Sequence, residues 1–204
     1  MPKQIDALSI VQFHDAMLAL LDWPDDASDA PEDVWEWIAA NHRFNCLLWS
    51  EENHARRIDV DAADIGASKR LIDCHNRQRN DAVEAIDAAL LAQLSSVAQA
   101  DTARLSSETA GAMIDRLSIL SSKIFHMRQQ TRRGHPSVAE VDTCCATLHR
   151  LLLQRHDLAC CLNQLWREAQ LGIAYFKVYR QASMHNDSSL DPYLYDSTRS
   201  SRAQ

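Results

Sequence analysis

The chain has 204 residues, of which 46% are hydrophobic and 24% charged, and this composition is sufficient for one substantial globular core. Its formal net charge of −7 disfavours nucleic acid or an anionic membrane surface as a bulk partner. With only 4 Gly and 5 Pro, and with few β-branched runs, the sequence predicts long helices joined by few turns.

Targeting signals and cysteine spacing bear on the compartment. No apolar run approaches the roughly 20 residues of a transmembrane span. The N-terminal sequence MPKQIDALSI lacks the basic start and apolar block of a signal peptide. The six cysteines include two vicinal pairs, and none has the Cys-x-x-Cys spacing typical of zinc sites. We therefore expect a cytoplasmic protein with free thiols, no metal and no cofactor.

Helical periodicity first indicates three segments in the N-terminal half. One helix is expected at 5–21, and a second at about 31–57, where Asp29 is a candidate N-cap. A third helix is expected from a cap at Asp61 to about residue 94. The polar segment 95–106 that follows is predicted to be a linker between two halves of the fold.

Two further helices are predicted in the C-terminal half. The fourth runs from about residue 107 to the stop signal Gly134, and the fifth from a capping box at Ser137 and Glu140 to Gly172. We therefore predict an all-α protein, an antiparallel bundle of about five long helices with a short C-terminal helix and tail. Residues 1–190 would form a single helical domain, and residues 191–204 a disordered tail.

Charged residues interrupt the apolar faces of two predicted helices. Arg79 lies midway between Ile72 and Ile86, seven residues from each, at a spacing that places all three on one helical face. Arg155 holds the corresponding position on the fifth helix, with leucines seven residues away on either side. Arginine tolerates partial burial because its aliphatic stem packs on apolar surface, but two such residues on separate helices indicate a polar interior.

The second helix shows a similar feature. Asn41, Asn45, Glu52 and Arg56 share its apolar face by the same angular count. Glu52 and Arg56 are four residues apart with the acid first, which is the better order for a helical ion pair. Either Glu52 is buried and requires such a partner, or the end of the helix leaves the core and both side chains are solvated. The pattern leaves these two alternatives open.

The fourth helix adds further polar groups. Arg116 and Lys123 border its apolar line, while Asp115, Ser122 and His126 form a polar strip on another side. We expect an interior that contains Arg79, Arg155, Glu52 and Arg56, with Lys123 and Arg116 at its edge. Because basic groups outnumber acids in this set, a phosphate or carboxylate ligand would complement it. The alternative is a purely structural salt-bridge network.

Three blocks of the sequence carry a family resemblance. They read NHRFNCLLWSEENHARR with KRLIDCHNRQRNDAVEAID, SSETAGAMIDRLSILSSKIFHM, and FKVYRQASMHNDSSLDPYLY. Together they resemble DUF4254, a bacterial family described as a domain of unknown function. The family pattern Trp-His-x-Glu-Asp stands here as Trp49-Ser50-Glu51-Glu52-Asn53, so that Glu52 is matched while Ser50 and Asn53 replace the histidine and aspartate.

Other positions match the family pattern as well: Asp73, Asn76, Arg79, Asp87, Asp115, Arg116, Lys123, His126, Asn186 and Asp187. The resemblance implies an all-helical fold and, more loosely, a neighbourhood of envelope-saccharide glycosyltransferases. It supplies no established activity.

These patterns predict a binding or accessory protein with a buried Arg/Glu/Asp site for an anionic small molecule, linked to envelope saccharide metabolism through the resemblance. The expected ligand-binding residues are Asn45, Arg56, Asp73, Asn76, Arg79, Asp115, Arg116, Lys123 and Arg155. No nucleic-acid or membrane partner is expected, and the oligomeric state is left open.

Two other functions were weighed against this hypothesis. An enzyme acting on a phosphorylated or sugar-type substrate would use Glu52 or His126 as general base, but the sequence contains no Gly-rich phosphate loop and no nucleophile–base set. A carboxylate-bridged metal bundle is suggested by Glu51-x-x-His54. Such sites need a second Glu-x-x-His motif, and no second copy is present.

Overall fold

The computed structural model describes residues 5–20, 23, 31–59, 61–131 and 138–179, with the backbone alone at 138 and 139. Within these residues the chain forms five helices. The helices are α1 (Ala7–Met17), α2 (Val34–Ala55), α3 (Ala62–Gln93), α4 (Ala110–Thr131) and α5 (Val138–Gln170). The predicted all-α class is confirmed. No helix within the described ranges has the length and apolarity that crossing a membrane requires.

Helices α2 and α3 begin at side-chain caps, while the capping residue predicted for α5, Ser137, lies outside the described residues. Asp61 accepts a hydrogen bond from the backbone nitrogen of Asp64 at 2.8 Å, which confirms the predicted start of α3. At α2 the cap is Asp33, whose carboxylate accepts from the nitrogens of Trp35 at 2.7 Å and Glu36 at 2.9 Å. The helix therefore starts three residues later than the sequence predicted, and Asp29 lies outside the described residues.

A glycine ends α5, as predicted. Gly172 has a φ of 72°, in the left-handed region that favours glycine. The nitrogen of Ile173 donates to the carbonyl of Glu168 at 3.0 Å, and the nitrogen of Gly172 donates to that of Ala169 at 3.0 Å. These two bonds satisfy carbonyl groups that the end of the helix leaves unpaired.

Beyond this turn the chain differs from the prediction. Strand β1 (Arg104–Leu105), inside the expected linker, pairs in parallel with β2 (Ala174–Tyr175). The start of the predicted C-terminal helix is therefore extended, because its backbone bonds to another segment. The remainder of that helix, the predicted boundary at 190 and the predicted tail all lie outside the described residues.

Contacts between side chains give the relative directions of the helices. On α2, His42 contacts Ser118 and Trp49 contacts His126, so that α2 and α4 run in the same direction side by side. In contrast, α3 meets α4 through Asp87 with Gly111 and through Arg79 with Asp115, and these pairs require opposite directions.

The fifth helix likewise opposes α1. Asn163 accepts from the nitrogen of Ala7 at one end, and Arg155 pairs with Asp15 at the other. The apolar core lies between these helices, and its fully buried large members include Ile10, Ile38, Ile86, Leu90, Ile114 and Leu117.

A buried carboxylate fixes the start of α4. Asp87, on α3, is only 2% exposed, and its Oδ1 accepts from the nitrogen of Gly111 at 2.6 Å. Burial raises the pKa of this carboxyl, although hydrogen bonds from Thr109 and Gly111 act in the opposite direction. Glycine at 111 permits this close approach of α3 and α4.

We predict that Gly111→Ala lowers the free energy of unfolding by about 1–3 kcal/mol. A Cβ at this position would lie 2.7 Å from the carbonyl oxygen of Val83 and 2.8 Å from Cγ of Asp87, so that the two helices must separate. Chemical denaturation of the variant measures the loss.

The matched control is Gly66→Ala in α3. There the nearest atom to a new Cβ is Nη1 of Arg70 at 3.7 Å, and removing a helical glycine should raise the free energy of unfolding by about 0.5–1 kcal/mol. Equal effects of the two substitutions would show that the contact at Gly111 is not a constraint.

Candidate functional site

A cluster of polar side chains lies between α2, α3 and α4, and its centre is Asp115 on α4. Its Oδ1 accepts hydrogen bonds from the side-chain amides of Asn41 at 2.8 Å and Asn45 at 2.9 Å, both on α2. Nε of Arg79 on α3 lies 3.9 Å from the same oxygen, and the side chains of Arg79 and Asp115 are 26% and 14% exposed. Asp115 thus joins three helices, and it pairs with Arg79 without a direct hydrogen bond.

A chain of hydrogen bonds extends from Asp115 into the core. Asn45 also donates to Oγ of Ser118 at 3.0 Å, and that hydroxyl lies 2.7 Å from Nδ1 of His42. The other ring nitrogen of His42 is 3.1 Å from the carbonyl oxygen of His14. Because a carbonyl can only accept, Nε2 of His42 carries the hydrogen and Nδ1 accepts from Ser118. The ring of His14 stacks on His42 with centroids 4.4 Å apart.

Arg155 belongs to a different cluster. Its side chain is 11% exposed, which confirms that it lies in the interior. Its Nη1 donates to Oδ1 of Asp15 at 2.6 Å and to Oγ of Ser121 at 3.0 Å. Arg155 and Arg79 therefore have different partners among the described residues. A ligand site formed by both stays a prediction.

Glu52 and Arg56 were expected in the interior, and this too is wrong. Their side chains are 49% and 74% exposed, and they form a surface ion pair of 3.5 Å one helical turn apart. The alternative in which the end of the helix leaves the core is therefore the one observed. A pair of this kind contributes roughly 0.3–0.5 kcal/mol at most.

Arg79 lines a cavity of about 210 Å³, which we call the arginine cavity. Its walls are Asn45, Leu48, Trp49, Glu52, Arg79, Ile119, Ser122 and Lys123. Within the described part of the chain, Nε of Arg79 and Oγ of Ser122 are both buried and have no hydrogen-bond partner. Buried polar atoms are rarely left in this state, since each costs about 1–3 kcal/mol.

A larger cavity of about 680 Å³ adjoins the first, and we call it the aromatic chamber. Its walls are Leu18, Trp23, Cys46, Trp49, Ser50, Asn53, Phe125, His126, Gln129 and Gln130. The rings of Trp49 and His126 stack at 4.5 Å with an interplanar angle of 4°. Trp49 lines both cavities.

Burial changes the protonation behaviour of two residues in the chamber. It lowers the pKa of His126, against an opposing hydrogen bond with Gln129, so the imidazole is neutral at pH 7. It raises the pKa of the Cys46 thiol to about 11, although Nε1 of Trp23 donates to the sulfur at 3.4 Å. Cys46 is therefore a protonated thiol rather than a reactive thiolate.

The remaining predicted residues lie apart from both cavities. Arg116 is exposed and donates to both carboxylate oxygens of Glu108, at 2.6 and 2.8 Å. Asp73 is exposed and Asn76 is half-buried, and neither lines the arginine cavity or the aromatic chamber. Their assigned roles in ligand binding stay predictions.

The sequence indicated some of this site and missed the rest. Asp115, Ser122 and His126 were recognised as one polar strip, but the spacing did not reveal that the strip faces α2. Ser118 lies three residues after Asp115 and four before Ser122, so helical spacing places it on the same strip. This spacing is the sequence signal that identifies Ser118 as a member of the polar cluster. The stacking of Trp49 on His126 was not predicted from the sequence.

Among the described residues, no group of three or more His, Cys, Asp or Glu side chains is arranged so that it could hold a metal ion.

The fold and its site define a helical-bundle protein with a buried polar cluster beside two adjoining cavities. The family model "Protein of unknown function (DUF4254)" matches residues 35–178, from the second residue of α2 to beyond the end of α5. The chain belongs to the DUF4254 family, as the sequence resemblance predicted. No curated protein and no solved structure matches the chain.

We predict that the protein loses stability as the pH falls from 6.5 to 4. Burial lowers the pKa of His42 from 6.5 to about 4, and it lowers that of His14 well below its ordinary value. In this window the unfolded chain binds protons that the folded protein does not, so acidification favours unfolding. For His42 the loss is on the order of 3 kcal/mol.

Denaturation at a series of pH values measures this dependence. His42→Gln should reduce the loss between pH 6.5 and 4, while His156→Gln, at an exposed position of α5, should leave it unchanged. Identical pH profiles for the wild type and His42→Gln would contradict the assignment.

Proposed function

We propose that this protein binds an anionic small molecule, with a phosphoryl or carboxylate group, in the arginine cavity, and that it acts as a binding or accessory protein. The observation that carries the proposal is the pair of buried polar atoms without partners, Nε of Arg79 and Oγ of Ser122, on one small cavity. Both atoms can donate a hydrogen bond, and an oxyanion accepts several.

The charges around the cavity favour an anion. Glu52 is paired with Arg56 on the surface, and Arg79 faces Asp115. Lys123 forms no ion pair with any residue of the described ranges, so the group carries three cations and two anions.

Water is the competing occupant. A cavity of about 210 Å³ holds several water molecules, and these would satisfy the two partnerless donors. Water would leave the excess positive charge uncompensated, however, whereas a phosphoryl or carboxylate group would satisfy the donors and the charge together. The two occupants differ in a measurable way, because only a bound anion stabilises the protein in a concentration-dependent manner.

A second candidate function is catalysis on a phosphorylated or sugar-type substrate. Glu52 lines the arginine cavity, and His126 lines the adjoining chamber as a neutral imidazole, the form that a general base requires. For an enzyme, His126→Asn or Glu52→Gln should abolish turnover of a bound substrate while its affinity is kept. For a binding protein, neither the wild type nor the His126→Asn and Glu52→Gln variants should turn the substrate over.

We predict that inorganic phosphate raises the melting temperature of the wild-type protein. At a free phosphate concentration of ten times the dissociation constant, binding stabilises the folded protein by about 1.4 kcal/mol. For a chain of this size, that raises the melting temperature by roughly 3–6 °C. Arg79→Leu should abolish this shift, and Lys123→Met should weaken phosphate binding about tenfold by removing a nearby charge. Calorimetric titration gives the affinities.

Arg77→Leu is the matched control, because it removes the same charge from an exposed position of the same helix. It should bind phosphate as the wild type does. Lys123 is exposed, so its variant reports on binding even where Arg79→Leu is poorly folded. The proposed site would be refuted if Lys123→Met bound phosphate as tightly as the wild type. It would also be refuted if Arg77→Leu lost as much phosphate affinity as Lys123→Met.

A further inference from the structure

We infer that the ligand is a phosphorylated sugar, whose phosphoryl group occupies the arginine cavity and whose uncharged, hydroxyl-bearing ring occupies the aromatic chamber. The inference rests on the proposed function and names the class of ligand for the same site. It follows from the position, the charge and the lining of the second cavity.

The two cavities meet at Trp49, which lines both. On α2 they occupy the same turns and neighbouring faces, because Asn45 and Glu52 line the arginine cavity while Cys46 and Asn53 line the chamber. In the proposed complex, the part of the ligand beyond its anionic group lies on the chamber side of the Trp49 ring.

The sizes of the cavities support a ligand with two parts. The arginine cavity, at about 210 Å³, is smaller than the roughly 300–1,000 Å³ of a typical small-molecule site. The chamber, at about 680 Å³, lies within that range. A phosphoryl group fits the first, and a ring with its substituents needs the second.

Among the described residues that line the chamber, none is Asp, Glu, Lys or Arg. The titratable groups in this described lining, His126 and Cys46, are both held neutral by burial. In addition, α2 and α4 both end nearby, at Ala55 and Thr131, and the carbonyl ends of helices disfavour anions. The chamber is therefore suited to the uncharged part of a ligand, and the charged part belongs at Arg79.

The lining fits a hydroxyl-bearing ring. Trp23, Trp49 and Phe125 offer aromatic surface, which packs against the C–H faces of a saccharide. Asn53 and Gln129 have side-chain amides that can both donate to and accept from hydroxyl groups. The stack with His126 holds Trp49 in a fixed orientation, which lowers the entropic cost of binding.

The experiment is a calorimetric titration of the full chain with inorganic phosphate, glucose 1-phosphate, N-acetylglucosamine 1-phosphate, ribose 5-phosphate and adenosine monophosphate. At least one of the three sugar phosphates should bind ten or more times more tightly than inorganic phosphate. In the double variant Asn53→Ala, Gln129→Ala this ratio should fall to near one, while the affinity for inorganic phosphate stays unchanged. Both substituted side chains are exposed, so the variant should fold as the wild type does.

The control is Gln154→Ala, at an exposed position of α5 away from the groove, which should keep the full ratio. If phosphate binds but no sugar phosphate binds more tightly, or if the double variant keeps the gain, the inference is overturned while the proposed function stands. A gain for adenosine monophosphate alone would assign a nucleoside to the chamber and overturn the sugar. If no compound binds, the proposed function fails and the inference fails with it.

Discussion

The interaction on which the site depends is the Asp115 carboxylate, held by the amides of Asn41 and Asn45 at 2.8 and 2.9 Å. A half-buried carboxylate beside a guanidinium would ordinarily form a short bidentate ion pair and neutralise it. Here the amides from α2 occupy the oxygen that faces Arg79, and the guanidinium stays 3.9 Å away. The arginine is held in place by this pairing, by packing and by a hydrogen bond from its Nη2 to Oδ1 of Asn80 at 3.3 Å, and its Nε remains available for a further acceptor.

The same constraint explains how the helices present the site. Asp115 is bonded to α2 and paired with α3, and further along the helices Asp87 caps the start of α4 at Gly111. These contacts fix α2 and α4 side by side, so that Trp49 stacks on His126 where the two cavities meet. Burial of the His14–His42 pair next to this cluster supports the arrangement near neutral pH and weakens it on acidification.

Sequence patterns predicted the helices and one member of the site well, because periodicity measures the angle of a residue around its helix. Arg79, in the middle of an apolar stripe, was correctly expected inside. Glu52 and Arg56 have a comparable angle but lie near the end of α2, where the helix leaves the core. The angle of a residue around its helix does not show where along the axis the helix leaves the core, so the expected burial of Glu52 and Arg56 was wrong. Asn45 and Ser118 meet across two helices, and a single sequence does not determine the pairing of faces.

The central claim is that Nε of Arg79 is a donor in need of an anionic acceptor. Its N–H resonance in a two-dimensional ¹H–¹⁵N spectrum, assigned by its loss in Arg79→Leu, tests the claim most directly. Addition of inorganic phosphate should shift this resonance downfield in a saturable manner, and chloride at the same ionic strength should not. A resonance that stays in place throughout the phosphate titration would contradict the account.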